Sequence, residues 1–154
     1  MKNYPHSVKI LSVGAVIVRW DKTQQKFLYL LLRAHNFWDF PKGQTEANEK
    51  PIETALREIC EETTLTELYF PWGYPYYETT PYFKGRKVAR YYLAETNILE
   101  ISLPINPELG RPEHNAWRWV TREESLTMVT PRVQNVVIWA DEFLTKDPRY
   151  IQSA

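Results

Sequence analysis

The stretch FPKGQTEANEKPIETALREICEETTL, Phe40 to Leu65, decides how this chain is read. Within it Gly43 is followed by Glu49, then by Arg57-Glu58, then by Glu61-Glu62. Asn48 precedes a helical pattern that Pro51 opens, at a first-turn position where the missing N–H does no harm. Projected at about 100° per residue, Ile52, Ala55, Leu56, Ile59, Cys60 and Thr63 share one sector, which is expected to face the core. Glu58, Glu61 and Glu62 share another sector, about 100° wide, with Arg57 at its edge. Three carboxylates on one helix face repel one another unless something positive sits among them. A solvated acidic face would satisfy that pattern. So would a site for hard divalent cations, which take several carboxylate oxygens together with water and substrate phosphates. The upstream Gly43 and Glu49, at fixed distances from the acidic face, favour the cation site.

Working outward, Val8 to Trp20 is rich in Val and Ile and reads as a strand, and Asp21 to Gln25 as a polar turn. Lys26 to Arg33, KFLYLLLR, is a second strand, apolar nearly throughout as when both faces are covered. Ala34 to Asp39 reads as a loop leading into Phe40-Pro41-Lys42-Gly43. Beyond the helix, Glu67 to Gly73 and Tyr76 to Phe83 read as strands, with Pro75 as a breaker. Lys84-Gly85-Arg86 is a hairpin turn before a strong strand from Lys87 to Glu95. Pro104 to Pro112 has no periodicity and reads as a loop, and Glu113 to Val120, EHNAWRWV, as another strand. Thr121-Arg122-Glu123-Glu124 is a capping box opening a short helix. Thr130-Pro131 starts a longer one, with Val133, Val136, Val137, Ala140 and Leu144 at helical spacing and Asp147-Pro148 ending it. No repeat or linker divides the chain, so one domain over residues 1–154 is expected. The order of elements implies an α/β fold, a mixed sheet covered by helices on both faces.

The 154 residues carry 19 basic and 19 acidic side chains, which gives no strong electrostatic bias toward nucleic acid or membrane. A single cysteine, Cys60, forbids an intrachain disulfide and fits a reducing compartment; its place in the apolar sector suggests packing. No apolar run approaches the ~20 residues that span a bilayer. Ile10 to Val18 has strand character rather than that of a signal core, so a cytoplasmic location is expected. Aromatic residues make up 14% of the chain, which is ample for stacking on a base.

The spacing from Gly43 through Glu62 resembles the Nudix box of the Nudix hydrolases. Thr64 stands where the box usually has a glycine in left-handed conformation, a substitution that costs on the order of 1–2 kcal/mol if the geometry is kept. The resemblance implies a Nudix-type α/β/α sandwich in which residues 40–65 form the catalytic loop and helix. It also implies hydrolysis of a phosphoanhydride with Mg2+, or Mn2+, held by Glu58, Glu61, Glu62 and the backbone carbonyl of Lys42. Arg57 is then an organiser of the glutamates, paired with Glu49, and Glu113 a further metal ligand or general base. FLYLLLRA, W-x-FPKG, ALREICEET, YYLAE and EHNAWRWV together look like the asymmetric diadenosine tetraphosphate hydrolase branch, whose relatives include the RNA 5′-pyrophosphohydrolases. That branch implies Lys42 near a phosphate, Lys84 and Lys87 on the polyphosphate, and a tyrosine stacked on a base. Tyr82 is the candidate, with Tyr76, Tyr77 and Phe83 as alternatives. His35 and His114 could contact phosphate, whereas His6 belongs to the N-terminal segment. The expected substrate is diadenosine tetraphosphate cut to ATP and AMP; the alternatives are a triphosphorylated RNA 5′ end and a regulator that holds a nucleotide without cleaving it. No membrane partner is expected, and the chain is expected to act as a monomer.

Overall fold

Alternating Val and Ile side chains make the first long strand, and everything else is arranged on its two edges. The computed structural model describes residues 10–153, so His6 and the expected strand start at Val8 lie outside the described residues. In chain order the elements are β1 (Ile10–Asp21), β2 (Lys26–Ala34), β3 (Phe37–Asp39), β4 (Lys42–Gln44), α1 (Pro51–Thr63), β5 (Tyr77–Glu78) and β6 (Lys87–Glu95). They continue with β7 (Ile105–Asn106), β8 (Arg111–Pro112), β9 (Ala116–Val120), α2 (Arg122–Met128), α3 (Pro131–Leu144) and α4 (Pro148–Ser153).

One edge of β1 pairs in parallel with β6 from Ile10 to Val18. The other edge is divided. Its end, Val18 to Asp21, pairs antiparallel with β2, while Ser12 to Gly14 pairs with β4. β2 is likewise divided, bonding to β3 through Leu32 to Ala34 on the edge it shares with β1 and to β9 along the opposite one. β1 and β2 therefore splay apart, and β3, Phe40-Pro41 and β4 fill the fork. The sheet is mixed, as expected.

Strand alternation sends side chains to two cores. Val16, Val18, Tyr29, Leu31, Tyr91 and Leu93 pack on one face with Val133, Val136, Val137, Ala140 and Leu144 of α3. Val13, Ala15, Ile17, Leu30, Leu32 and Ala94 pack on the other with Ala55 and Ile59 of α1. Each fully buried aliphatic side chain contributes about 2 kcal/mol relative to exposure. The α/β/α layering is thus the observed architecture.

Several expectations need correction. The loop expected from Ala34 to Asp39 contains β3, because His35 and Asn36 both take positive φ (52° and 66°) and make a two-residue hairpin without glycine. The strands expected at Glu67–Gly73 and Tyr76–Phe83 shrink to a bridge from Tyr69 to Glu95, the two residues of β5 and a bridge from Tyr82 to Lys87. Pro71, Pro75 and Pro81 supply no ladder donors there. The loop at Pro104–Pro112 carries the small β7–β8 hairpin, and β9 starts at Ala116 rather than Glu113.

The largest correction concerns α1. The buried side chains are Thr54, Ala55, Ile59, Glu62 and Thr63, while Leu56 and Cys60 are exposed. At about 100° per residue, the helix is rolled about 60° from the orientation its apolar stripe specifies. Cys60 is therefore not a core residue, and Glu62 is not a surface one.

Two glycines hold this arrangement in the fork. A Cβ on Gly14 would lie 1.8 Å from the Pro41 carbonyl oxygen, so β4 can cross β1 only over a bare backbone. A Cβ on Gly43 would lie 2.0 Å from the Glu58 carboxyl carbon. At the far end of α1, Thr64 keeps the left-handed conformation (φ 64°), its N–H donating to Cys60 O at 2.9 Å. Three unfolding measurements in urea follow. Gly14→Ala meets fixed backbone and is expected to lose about 3 kcal/mol. Gly43→Ala meets only the movable end of a side chain and should lose about 1 kcal/mol, with Glu58 displaced. Thr64→Gly relieves the left-handed strain and should gain on the order of 1 kcal/mol. A Gly14→Ala protein as stable as the parent would remove the crossing constraint.

Candidate active site

Arg57 is the structural centre of the loop and helix. Its Nε donates to Glu49 Oε2 at 2.8 Å and its Nη2 to Glu49 Oε1 and Gln44 O, both at 3.0 Å. Nη1 donates to Glu58 Oε1 at 2.8 Å and reaches Glu61 Oε2 at 3.2 Å. Glu49 also accepts from the Glu46 N–H and, at 2.6 Å, from Thr54 Oγ1. The Arg57 hydrogen bonds hold its carboxyl down at about 2, far below the usual range. The expected Glu49–Arg57 pair is present, and it locks the 44–49 loop to α1.

That lock sets the three helix carboxylates at different depths. Glu61 is mostly exposed, Glu58 sits against the bare backbone of Gly43, and the Glu62 side chain is 4% exposed. Burial pushes the Glu58 carboxyl up, against the pull of Arg57. Burial pushes Glu62 up further, and the charges of Glu113 and Glu58 add to it. Glu62 Oε2 is enclosed with no hydrogen-bond partner among the described residues.

Glu113 and His114, in the loop before β9, complete the group. One ligand atom from each of Glu62, Glu113 and His114 lies within 4.8 Å of the other two. His114 Nε2 is 3.4 Å from Glu62 Oε1, and burial lowers the imidazole to about 4. At neutral pH this is a neutral ring beside a carboxyl group, not an ion pair. His114 Nδ1, like Glu62 Oε2, is buried without a partner. Oxygen-rich donors, mutual repulsion and an orphaned carboxylate oxygen suit a hard divalent cation, which would relieve all of these together. The residues present fit such an ion.

These groups line a cavity of about 1010 Å3 between α1, β4 and the β7–β8 hairpin. Its walls include Lys42, Gly43, Arg57, Glu58, Glu61, Glu62, Glu113 and His114. Burial pulls the Lys42 ammonium down, but Asp39 at 3.6 Å, with Tyr82 and Glu62, carries it above its ordinary value. The other expected contacts are not on this wall. His35 occupies the exposed turn between β2 and β3. Lys84 and Lys87 stand on the hairpin after Tyr82, where Lys87 Nζ lies 5.0 Å from the exposed Phe83 ring. Tyr76 lies under the Arg90 guanidinium at 4.1 Å, and Tyr77 packs toward Trp139. Tyr82 is half-buried, with the Arg132 guanidinium 3.9 Å from its ring centroid.

The sequence reading does not single out Asp39 or Arg132, and it gives His114 only a phosphate contact, whereas the structure sets it beside Glu62 and Glu113. Asp39 accepts from Tyr91 Oη at 3.0 Å and from the Phe40 N–H at 2.7 Å, which anchors the turn into β4. Arg132 had a legible signal: it is a cation in the first turn of a helix, where the dipole favours an anion.

Comparison with known proteins agrees with this geometry. The NUDIX domain model matches residues 9–140. An asymmetrical bis(5′-nucleosyl)-tetraphosphatase of Caenorhabditis elegans is 31% identical over 122 residues, 76% of this chain and 83% of that one. An RNA pyrophosphohydrolase of Roseobacter denitrificans is 27% identical over 114 residues, 66% of this chain and 70% of that one. The structure of a Caenorhabditis elegans Ap4A hydrolase binary complex superposes with a TM-score of 0.70 at 23% identity, covering 88% of this chain and 99% of that one. With the domain matched over nearly its whole length and the box folded around its glutamates, this chain belongs to the Nudix family of pyrophosphohydrolases.

Proposed function

We propose that this protein hydrolyses a phosphoanhydride bond of a nucleoside polyphosphate with Mg2+, and that its substrate is diadenosine tetraphosphate, cut asymmetrically to ATP and AMP. The observation that carries the reading is the buried, orphaned Glu62 carboxylate beside Glu113 and His114 on the cavity wall. The substrate choice is supported by the sequence likeness to asymmetrical tetraphosphatases, which extends over 76% of the chain for the nematode protein.

Glu58, Glu61, Glu62, Glu113 and the Lys42 carbonyl would hold the metal, with Mn2+ as the other candidate ion. Bound there, a divalent ion supplies charge neutralisation at phosphate oxygens and acidifies a water molecule. The chain's own groups do the rest. Arg57 touches no substrate; it keeps Glu58 and Glu61 in place and fixes the loop through Glu49 and Gln44. Neutral His114 can donate to, or accept from, a group beside Glu62 without adding charge. Glu113, exposed at the rim, would serve as a further metal ligand or else as the base that takes a proton from water. Lys42 offers an ammonium to phosphate oxygens next to the acidic group, its charge maintained by Asp39. A regulator that binds without cleaving is disfavoured, because every carboxylate of the box is present.

The test is a product assay with Mg2+ and diadenosine tetraphosphate, triphosphorylated RNA, ADP-ribose and nucleoside triphosphates in parallel. The highest kcat/KM is expected for diadenosine tetraphosphate, with ATP and AMP in equal amounts. A preference for RNA with release of pyrophosphate would overturn the substrate assignment and leave the chemistry standing. Chelation of divalent ions should abolish turnover. Glu62→Gln should cut kcat by ~1,000-fold or more. Its melting temperature should not fall, since the change removes a buried charge opposed by Glu58 and Glu113. Parental turnover in Glu62→Gln would take Glu62 out of the site.

A further inference from the structure

Arg132 is half-buried, yet its side chain makes no hydrogen bond or ion pair with any described residue. Its guanidinium lies 3.9 Å from the Tyr82 ring centroid, and Nη1 is enclosed without a partner. A partly desolvated guanidinium with no anion is costly, so its persistence calls for an explanation. Two further features make the cost larger. Arg132 sits at the second position of α3, a 14-residue helix with no acidic residue in its first turn, so the helix dipole opposes it. Lys42, a second cation, lies within electrostatic reach of both Arg132 and Tyr82. The Asp39 carboxylate, at the turn into β4, is engaged by Tyr91 Oη, the Phe40 N–H and Lys42, and forms no ion pair with Arg132. Thr130 Oγ1, at the start of the same helix, is also buried without a partner. A parallel bridge between Trp38 and Val129 sets this helix start alongside the turn that carries Asp39 into β4.

We propose that Arg132 is a substrate-binding residue whose guanidinium takes a phosphate group of the nucleoside polyphosphate, beyond Lys42 from the acidic cluster. This rests on the phosphoanhydride reading of the site. The Tyr82 ring holds the guanidinium at 3.9 Å, and a phosphate supplies the paired acceptors that a guanidinium fork matches. The phosphate chain then runs from the carboxylates across Lys42 to Arg132. The ring face expected to stack on a base is held by Arg132, so Tyr82 acts by orienting the arginine.

Equilibrium binding tests this without requiring turnover, so a failure of the catalytic reading stays separate. Wild-type protein, Arg132→Met and Arg132→Lys are titrated calorimetrically with ATP, AMP and adenosine, after thermal melts confirm folding. Arg132→Met should bind ATP about tenfold more weakly and adenosine unchanged, with Arg132→Lys recovering part of the loss. If Arg132→Met does not fold, Arg132→Lys should still lose about threefold on ATP and nothing on adenosine. Equal ATP affinity in the variants and the wild type overturns the proposal. So does a loss that is the same for adenosine as for ATP, which would make Arg132 a support for the base pocket and not a phosphate ligand.

Discussion

The grip of one guanidinium on both the loop and the helix is the constraint from which the rest of the site follows. Arg57 reaches Glu49 and Gln44 on the loop side and Glu58 and Glu61 on the helix side. With those contacts made, α1 cannot roll to bury its own apolar stripe. Leu56 and Cys60 stay exposed, and Glu62 is turned toward the sheet. The bare backbone at Gly43 then admits Glu58, and that at Gly14 admits the strand that carries Gly43. A hydrophobic preference worth about 1–2 kcal/mol for one leucine is overridden by a hydrogen-bonded charge network that also fixes where the acids point.

This explains what the sequence shows and what it conceals. The strand from Lys87 to Glu95, the capping box at Thr121 and the helix opening at Pro131 are written in local chemistry and fold where that chemistry places them. The spacing of Gly43, Glu49 and Arg57 is also legible, because the contacts it encodes are made within that one segment. The helix roll is not, since periodicity reports only the side that would choose the core, and here that choice is overruled. β3 escapes notice because His35 and Asn36 form a tight turn that is normally read from glycine. The cluster of Glu62 with Glu113 and His114 joins residues some fifty positions apart, and no local pattern announces their approach.

Charge across the site is arranged as a gradient rather than a single patch. Glu58, Glu62 and Glu113 gather with Lys42 on the cavity wall, and Arg132 lies within electrostatic reach of Lys42. Such an arrangement suits a cation at one end and a chain of anions lying from it toward the other. It is also compatible with a net charge of zero, because 19 basic and 19 acidic residues can balance over the whole chain while a few of them set a local field. Whole-chain charge was therefore uninformative about a site whose field is local and two-signed.

Four of the unsatisfied side-chain atoms among the described residues fall in these two places. Glu62 Oε2 and His114 Nδ1 mark the acidic end, and Arg132 Nη1 with Thr130 Oγ1 marks the basic one. Native interiors pair nearly all such atoms, and a chain that leaves several unpaired carries a folding penalty for each. Mutations that pair or remove them would relieve that penalty, yet each would also remove a contact available to a bound ion or phosphate. The exposed Leu56 and the buried Glu62 belong to the same trade, stability given up where the ligand is to supply the missing half of each interaction. On the proposed reading a cation and a polyphosphate together complete the site, the cation at Glu62 Oε2 and His114 Nδ1 and a phosphate at Arg132 Nη1.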